Sequence, residues 1–109
     1  MGDRAQVQFL FRTEEQYREV WFYTHWEGYK LQETVTNAIR RGKPRWRDDE
    51  YLARIIFSEM IQGHVLDETG YGIGVYKHAD LQYPVIIVDC VRQAVSFDDG
   101  YRWELFCNV

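Results

Sequence analysis

A chain of 109 residues is about the size of one domain and leaves no room for a second independent core. Its 46% hydrophobic, 17% aromatic and 28% charged residues exclude an intrinsically disordered chain, and a formal net charge of −4 argues against general binding to duplex nucleic acid. No apolar run approaches the roughly 18 residues of a membrane span, and the opening MGDRAQVQF lacks the basic-then-apolar pattern of a signal peptide, so a cytoplasmic protein with no membrane partner is expected.

QVQFLFR alternates, with Val7, Phe9 and Phe11 on one face, and predicts a half-buried strand; TEEQ predicts a turn. EVWFYTHW predicts the second strand of a hairpin, with Trp21, Tyr23 and His25 on one face and Val20, Phe22, Thr24 and Trp26 on the other. After Gly28 the period changes. Leu31, Val35, Ala38 and Ile39 fall at helical spacing and Gly42 with Pro44 supplies a stop. A second helix is expected with Asp48 as its cap, Asp49 and Glu50 at the positive end of its dipole, Leu52, Ile55, Ile56 and Met60 as its stripe, and Gly63 at its end.

Three or four strands follow, at TGYGIGVY, VIIVDC, AVSF and, after the turn signal DDG, YRWELF. The run Val85 to Val88 is apolar on both faces and predicts a central position. Segregated strands and helices imply a single α+β domain, a mainly antiparallel sheet with two helices packed on one face. Cys90 and Cys107, both in apolar strand-like runs, predict buried thiols rather than a disulfide.

Few chemistries find their motif here. Gly70, Gly72 and Gly74 give one strand face no side chains; either a helix packs tightly there or the strand bends, or else a ligand lies on bare backbone. They are not a dinucleotide fingerprint, since Val75 stands where the third glycine would fall and no helix follows. His25, His64, Asp67 and Glu68 could meet at one sheet end, but their spacing matches no metal-binding pattern, and neither a metal nor a cofactor is expected. His78 reads as a solvated loop residue. Ser58 and Ser96 lie in a helix and a strand, outside any nucleophile elbow, and neither cysteine has a basic sequence context. No catalytic residue is assigned; an acid/base pair of Glu68 with His25 stays as a third alternative.

Two clusters combine rings with charge. In RRGKPRWR, Arg40, Arg41, Lys43, Arg45 and Arg47 surround Trp46, as in a phosphate or single-strand contact, although a helix terminus also favours cations. In WFYTHWEGY both strand faces are aromatic, which reads either as a ring-rich core or as a wall for a ligand or a subunit. The combination of YTHWEGY, YLARIIFSEMI and ETGYGIG, spanning roughly residues 22 to 75, resembles a group of small bacterial and phage-associated single-domain proteins. That resemblance implies ligand capture or inhibition rather than metabolism, and assigns no role to any residue.

The expected function is a non-enzymatic binding domain that holds a small anionic, nucleotide-like molecule as a homo-oligomer. Tyr23, His25, Trp26 and Tyr29 would stack and make polar contacts, Glu68, Thr69 and Gly70 would orient the ligand, and Arg40, Arg45 or Arg54 would neutralise phosphate. The alternative is an inhibitor module that covers a host protein with the same aromatic and basic residues. The terminal strand, with Trp103 on its face, is the expected oligomer edge.

Overall fold

The computed structural model describes residues 2–13 and 18–109; most of the turn expected at TEEQ lies outside them. Its strands are β1 (Ala5–Phe11), β2 (Arg18–Thr24), β3 (Tyr71–Gly74), β4 (Ile86–Asp89), β5 (Ala94–Ser96) and β6 (Glu104–Leu105). Two helices, α1 (Leu31–Arg41) and α2 (Asp49–Met60), lie between β2 and β3. The strands form one sheet in the order β3-β2-β1-β4-β5-β6, antiparallel throughout except for the parallel pair β1 and β4. The fold is α+β, and β1 and β4 are its centre. Among the described residues no helix is long and apolar enough to cross a membrane.

The alternation of β1 and β2 sets the two faces. Val7 pairs with Phe22 and Phe9 with Val20, and this face is buried under α1 and α2 through Leu31, Val35, Ala38, Ile39, Leu52, Ala53, Ile56 and Met60. The stripe read from sequence is therefore the core, with Ile55 at its margin. Asp48 holds the N-cap position of α2 but makes no side-chain cap bond, and Asp49 instead accepts hydrogen bonds from the backbone N–H and Nε of Arg12 at 2.6 and 3.2 Å.

The other face carries Gln6, Trp21 and Tyr23, and the connection 75–85 crosses it between β3 and β4. Gln6 donates to the Tyr76 carbonyl at 3.3 Å and accepts from the His78 N–H at 2.9 Å, while the His78 ring stacks on Tyr23 at 4.5 Å between centroids. Trp21 is buried. Much of the second aromatic face is thus covered by the chain's own return segment, which the period-2 pattern could not reveal.

Three expectations need correction. The YRWELF strand shrinks to Glu104–Leu105, because Phe106 turns into the core beside Trp46 and Trp103 lies under the Arg92 guanidinium at 4.2 Å. Cys107 is exposed on the closing 3-10 turn while Cys90 is buried at the end of β4; neither is in a disulfide. The GYGIG strand is an edge. A side-chain carbon at Gly72 or Gly74 would meet nothing within 4 Å, so no element packs on that glycine face.

Candidate functional site

The site is a corner where β2 ends and β3 begins. Thr24 is the last residue of β2, and its buried hydroxyl accepts the Glu27 N–H at 3.1 Å, which turns the chain out of the strand. The N-terminal segment ties that turn down. Asp3 donates its N–H to the His25 carbonyl at 2.6 Å, and its own carbonyl accepts from Gly28 at 2.9 Å. The Asp3 carboxylate takes the Tyr83 hydroxyl at 2.7 Å and the Tyr29 N–H at 2.8 Å. Gly28 is required here, since a Cβ would sit 2.6 Å from the Asp3 carbonyl and 2.7 Å from the Tyr83 ring.

The opposite wall comes from the segment that enters β3. The His25 N–H donates to the Gly70 carbonyl at 2.8 Å, continuing the β2–β3 ladder one step past the paired Thr24 and Tyr71. Gly70 adopts φ of 97°, a conformation open to glycine, and a Cβ there would press to 3.3 Å from Trp26. Residues 64–69 are thereby held beside Trp26 and Tyr29.

Between the walls lies a cavity of about 720 Å³, inside the roughly 300–1,000 Å³ typical of small-molecule sites. Trp26, Tyr29, Tyr71 and Leu66 supply its apolar surface. Glu27, Asp67, Glu68, His64 and Thr69 supply its polar surface. Glu27 accepts the Tyr71 hydroxyl and pairs with Lys30 at 2.7 Å; His64 Nε2 stands 3.9 Å away. His64 Nδ1 meets the Asp67 carboxylate at 2.8 Å, and the His64 ring packs on Tyr71 at 5.3 Å.

Burial pushes the Glu27 carboxyl up, but the bonds from Lys30 and Tyr71 outweigh it and hold it below the usual carboxylate range. Burial, and then the bond to Glu27, raise the Tyr71 hydroxyl well above the ordinary phenol range, so it stays a donor.

The residues singled out in the sequence divide into three groups. Trp26, Tyr29, Glu68 and Thr69 line the cavity, and Gly70 sets its rim. Tyr23 and His25 stand behind Trp26: the Tyr23 hydroxyl meets His25 Nδ1 at 2.8 Å, and the His25 ring packs edge-on against Trp26 at 4.4 Å. Arg40, Arg45 and Arg54 are not in the lining. Arg40 donates to the Val109 carbonyl at 3.1 Å, Arg45 lies over the Tyr51 ring at 5.2 Å, and Arg54 projects from the exposed side of α2.

His25 is not bonded to Glu68; the histidine that meets a carboxylate is His64. Among the described residues no group of three or more His, Cys, Asp or Glu is placed to hold a metal. Tyr71, Leu66, His64, Asp67 and Glu27 complete the lining without having been assigned to a ligand site from sequence. Glu27 and His64 were visible as polar residues at strand and helix ends, whereas Tyr71 and Leu66 carry no local signal.

The basic connection is built differently. Trp46 donates its Nε1–H to the Ile39 carbonyl at 2.9 Å and packs on Phe106 at 5.6 Å, so its ring is a pin between α1 and the C-terminus and not a stacking platform. Arg41 pairs with Glu59 at 2.9 Å, and Lys43 lies over the Trp46 ring at 5.9 Å. Comparison with family models, curated proteins and solved structures finds no match to this chain.

Proposed function

We propose that this chain is a binding protein that captures a small nucleotide-like molecule in the corner cavity and works as a homo-oligomer. The observation that carries this reading is the convergence of Trp26, Tyr29 and Tyr71 with Glu68 and Thr69 around one cavity of ligand size. Rings supply flat area for stacking, and a few polar groups fix orientation. Negative groups of such a ligand face away from Glu27, Asp67 and Glu68, because like charges in a partly desolvated site repel. Thermal-shift and calorimetric titration with nucleosides, nucleotides and cyclic nucleotides tests the reading. A ligand at about a hundred times its Kd adds about 2.7 kcal/mol, which raises the Tm of a domain this size on the order of 10 °C. Binding that survives Trp26→Ala, or no binding across the panel, removes it.

The second reading, capture of a host protein, has its own support in the β3 edge. Ile73, Val75 and Tyr76 are exposed there beside the open glycine face. The same edge supports self-association better than Trp103 does, since an open strand without proline or charge favours pairing with another chain. Light scattering separates these cases. A dimer that Ile73→Lys dissociates and Trp103→Lys leaves intact puts the subunit contact at β3; a monomeric wild type removes the homo-oligomer and leaves that edge to a different protein.

A further inference from the structure

We infer that the cavity recognises the uncharged, donor-bearing part of its ligand, a flat ring joined to a vicinal diol as in a ribonucleoside, with Glu68 accepting both hydroxyls. The inference rests on the proposed ligand-binding role of this corner and specifies which end of the ligand it takes.

The hydrogen-bonding capacity of the walls carries the argument. Glu27 has one oxygen on Lys30 and the other on Tyr71, so both of its oxygens are already engaged inside the protein. Asp67 has one oxygen on His64. Glu68 lines the same cavity and has no hydrogen-bond or ion-pair partner among the described residues. A free carboxylate offers two acceptor oxygens and no donor, which suits two adjacent hydroxyls. The acidic residue that holds a ribose hydroxyl in dinucleotide sites uses the same chemistry on another fold.

Charge excludes the other end of a nucleotide. Three carboxylates face the cavity, and the one lysine beside them is already paired with Glu27. A phosphate about 4 Å from an unpaired carboxylate meets repulsion on the order of 1 kcal/mol even in water, and more where water is displaced. The arginines that could offset this are absent from the lining. Trp26 and Tyr29, both largely exposed, are free to stack on a ring.

The test is isothermal titration of the whole chain with adenosine, guanosine, cytidine and uridine, their 2′-deoxy forms, their 5′-monophosphates, and tetramethylammonium as a cation without hydroxyls. At least one ribonucleoside is expected to bind, its 2′-deoxy form about tenfold more weakly, since a hydrogen bond to a charged group is at stake. Glu68→Gln is expected to weaken the ribonucleoside more than its 2′-deoxy form, which keeps only the 3′-hydroxyl on Glu68, so that the two losses do not add. Affinity that rises with the 5′-phosphate, a Glu68→Gln effect equal for both sugars, or binding of tetramethylammonium alone overturns the inference while leaving a Trp26-dependent site in place. Absence of binding by every probe overturns the inference and the ligand-binding reading together.

Discussion

The corner at residues 24–30 and the connection at residues 40–47 look alike as strings, each with one tryptophan among charges, yet the fold uses them in opposite ways. At the connection the ring is the structural part: Trp46 spans from the Ile39 carbonyl to Phe106, and neighbouring cations lie on groups of the same chain. At the corner the structural parts are small or backbone groups, namely Thr24, Gly28, Gly70 and Asp3, and the rings of Trp26 and Tyr29 are left over. A candidate binding surface is therefore marked less by the presence of rings than by whether those rings are already committed to holding the fold.

Truncating the two tryptophans tests that contrast most directly and gives the largest expected difference. Trp46→Ala removes a part-buried ring and leaves the Ile39 carbonyl without its donor, and should cost about 3 kcal/mol in urea unfolding. Trp26 is 55% exposed, so Trp26→Ala should cost less than about 1 kcal/mol while abolishing ligand binding. Equal losses of stability would put both rings in the same structural class and remove the distinction.

Gly28→Ala comes next. Its methyl group would have to displace either the Asp3 carbonyl or the Tyr83 ring, and crowding of this kind costs roughly 2 kcal/mol. Because those contacts hold the N-terminal segment against the corner, the expected signature is loss of amide-exchange protection at Asp3 and Gly28 before the core strands open. A variant as stable as the wild type would show that the corner is not held by this clamp.

Acid should loosen the same corner by a smaller amount. The Glu27 carboxyl is held below its ordinary value in the fold, so its contribution is complete above the unfolded carboxyl pKa and is lost as pH falls through the lowered folded value. Glu27→Gln should therefore be less stable than the wild type near neutral pH and should lose less stability between about pH 5 and about pH 3. Parallel pH–stability curves would mean that the Lys30 and Tyr71 bonds contribute nothing net.

Much of the fold was legible because it depends on local period. Leu31, Val35, Ala38 and Ile39, and likewise Leu52, Ile56 and Met60, are buried as their spacing predicts, and Val88 lies in a central strand. The site was legible in part. Trp26, Tyr29, Glu68 and Thr69 were named, but Tyr71 reaches the cavity only through its register opposite Thr24, which two helices separate from it in sequence. Arg40, Arg45 and Arg54 lie outside that lining for a related reason. A helix of 11 residues extends about 16 Å, so a cation at the end of α1 that lies next to the aromatic run in the string is far from it in space.

The smallest effect concerns Gly72, whose bare face is neither the clamp nor the pin. It lies in an extended edge strand with negative φ, and an added methyl group would meet nothing within 4 Å. Glycine in a strand has more backbone freedom to lose on folding than alanine, so Gly72→Ala should raise stability by about 0.5 kcal/mol. That gain holds only while the face stays open. If the face is covered when the protein associates through β3, the same methyl group should oppose association, and light scattering would show a better-folded chain with weaker dimerisation. Gly72→Ala that stabilises the fold and leaves both ligand titration and oligomeric state unchanged would confine function to the Trp26 corner. A loss of association would extend it along the edge, from Gly70 to Tyr76.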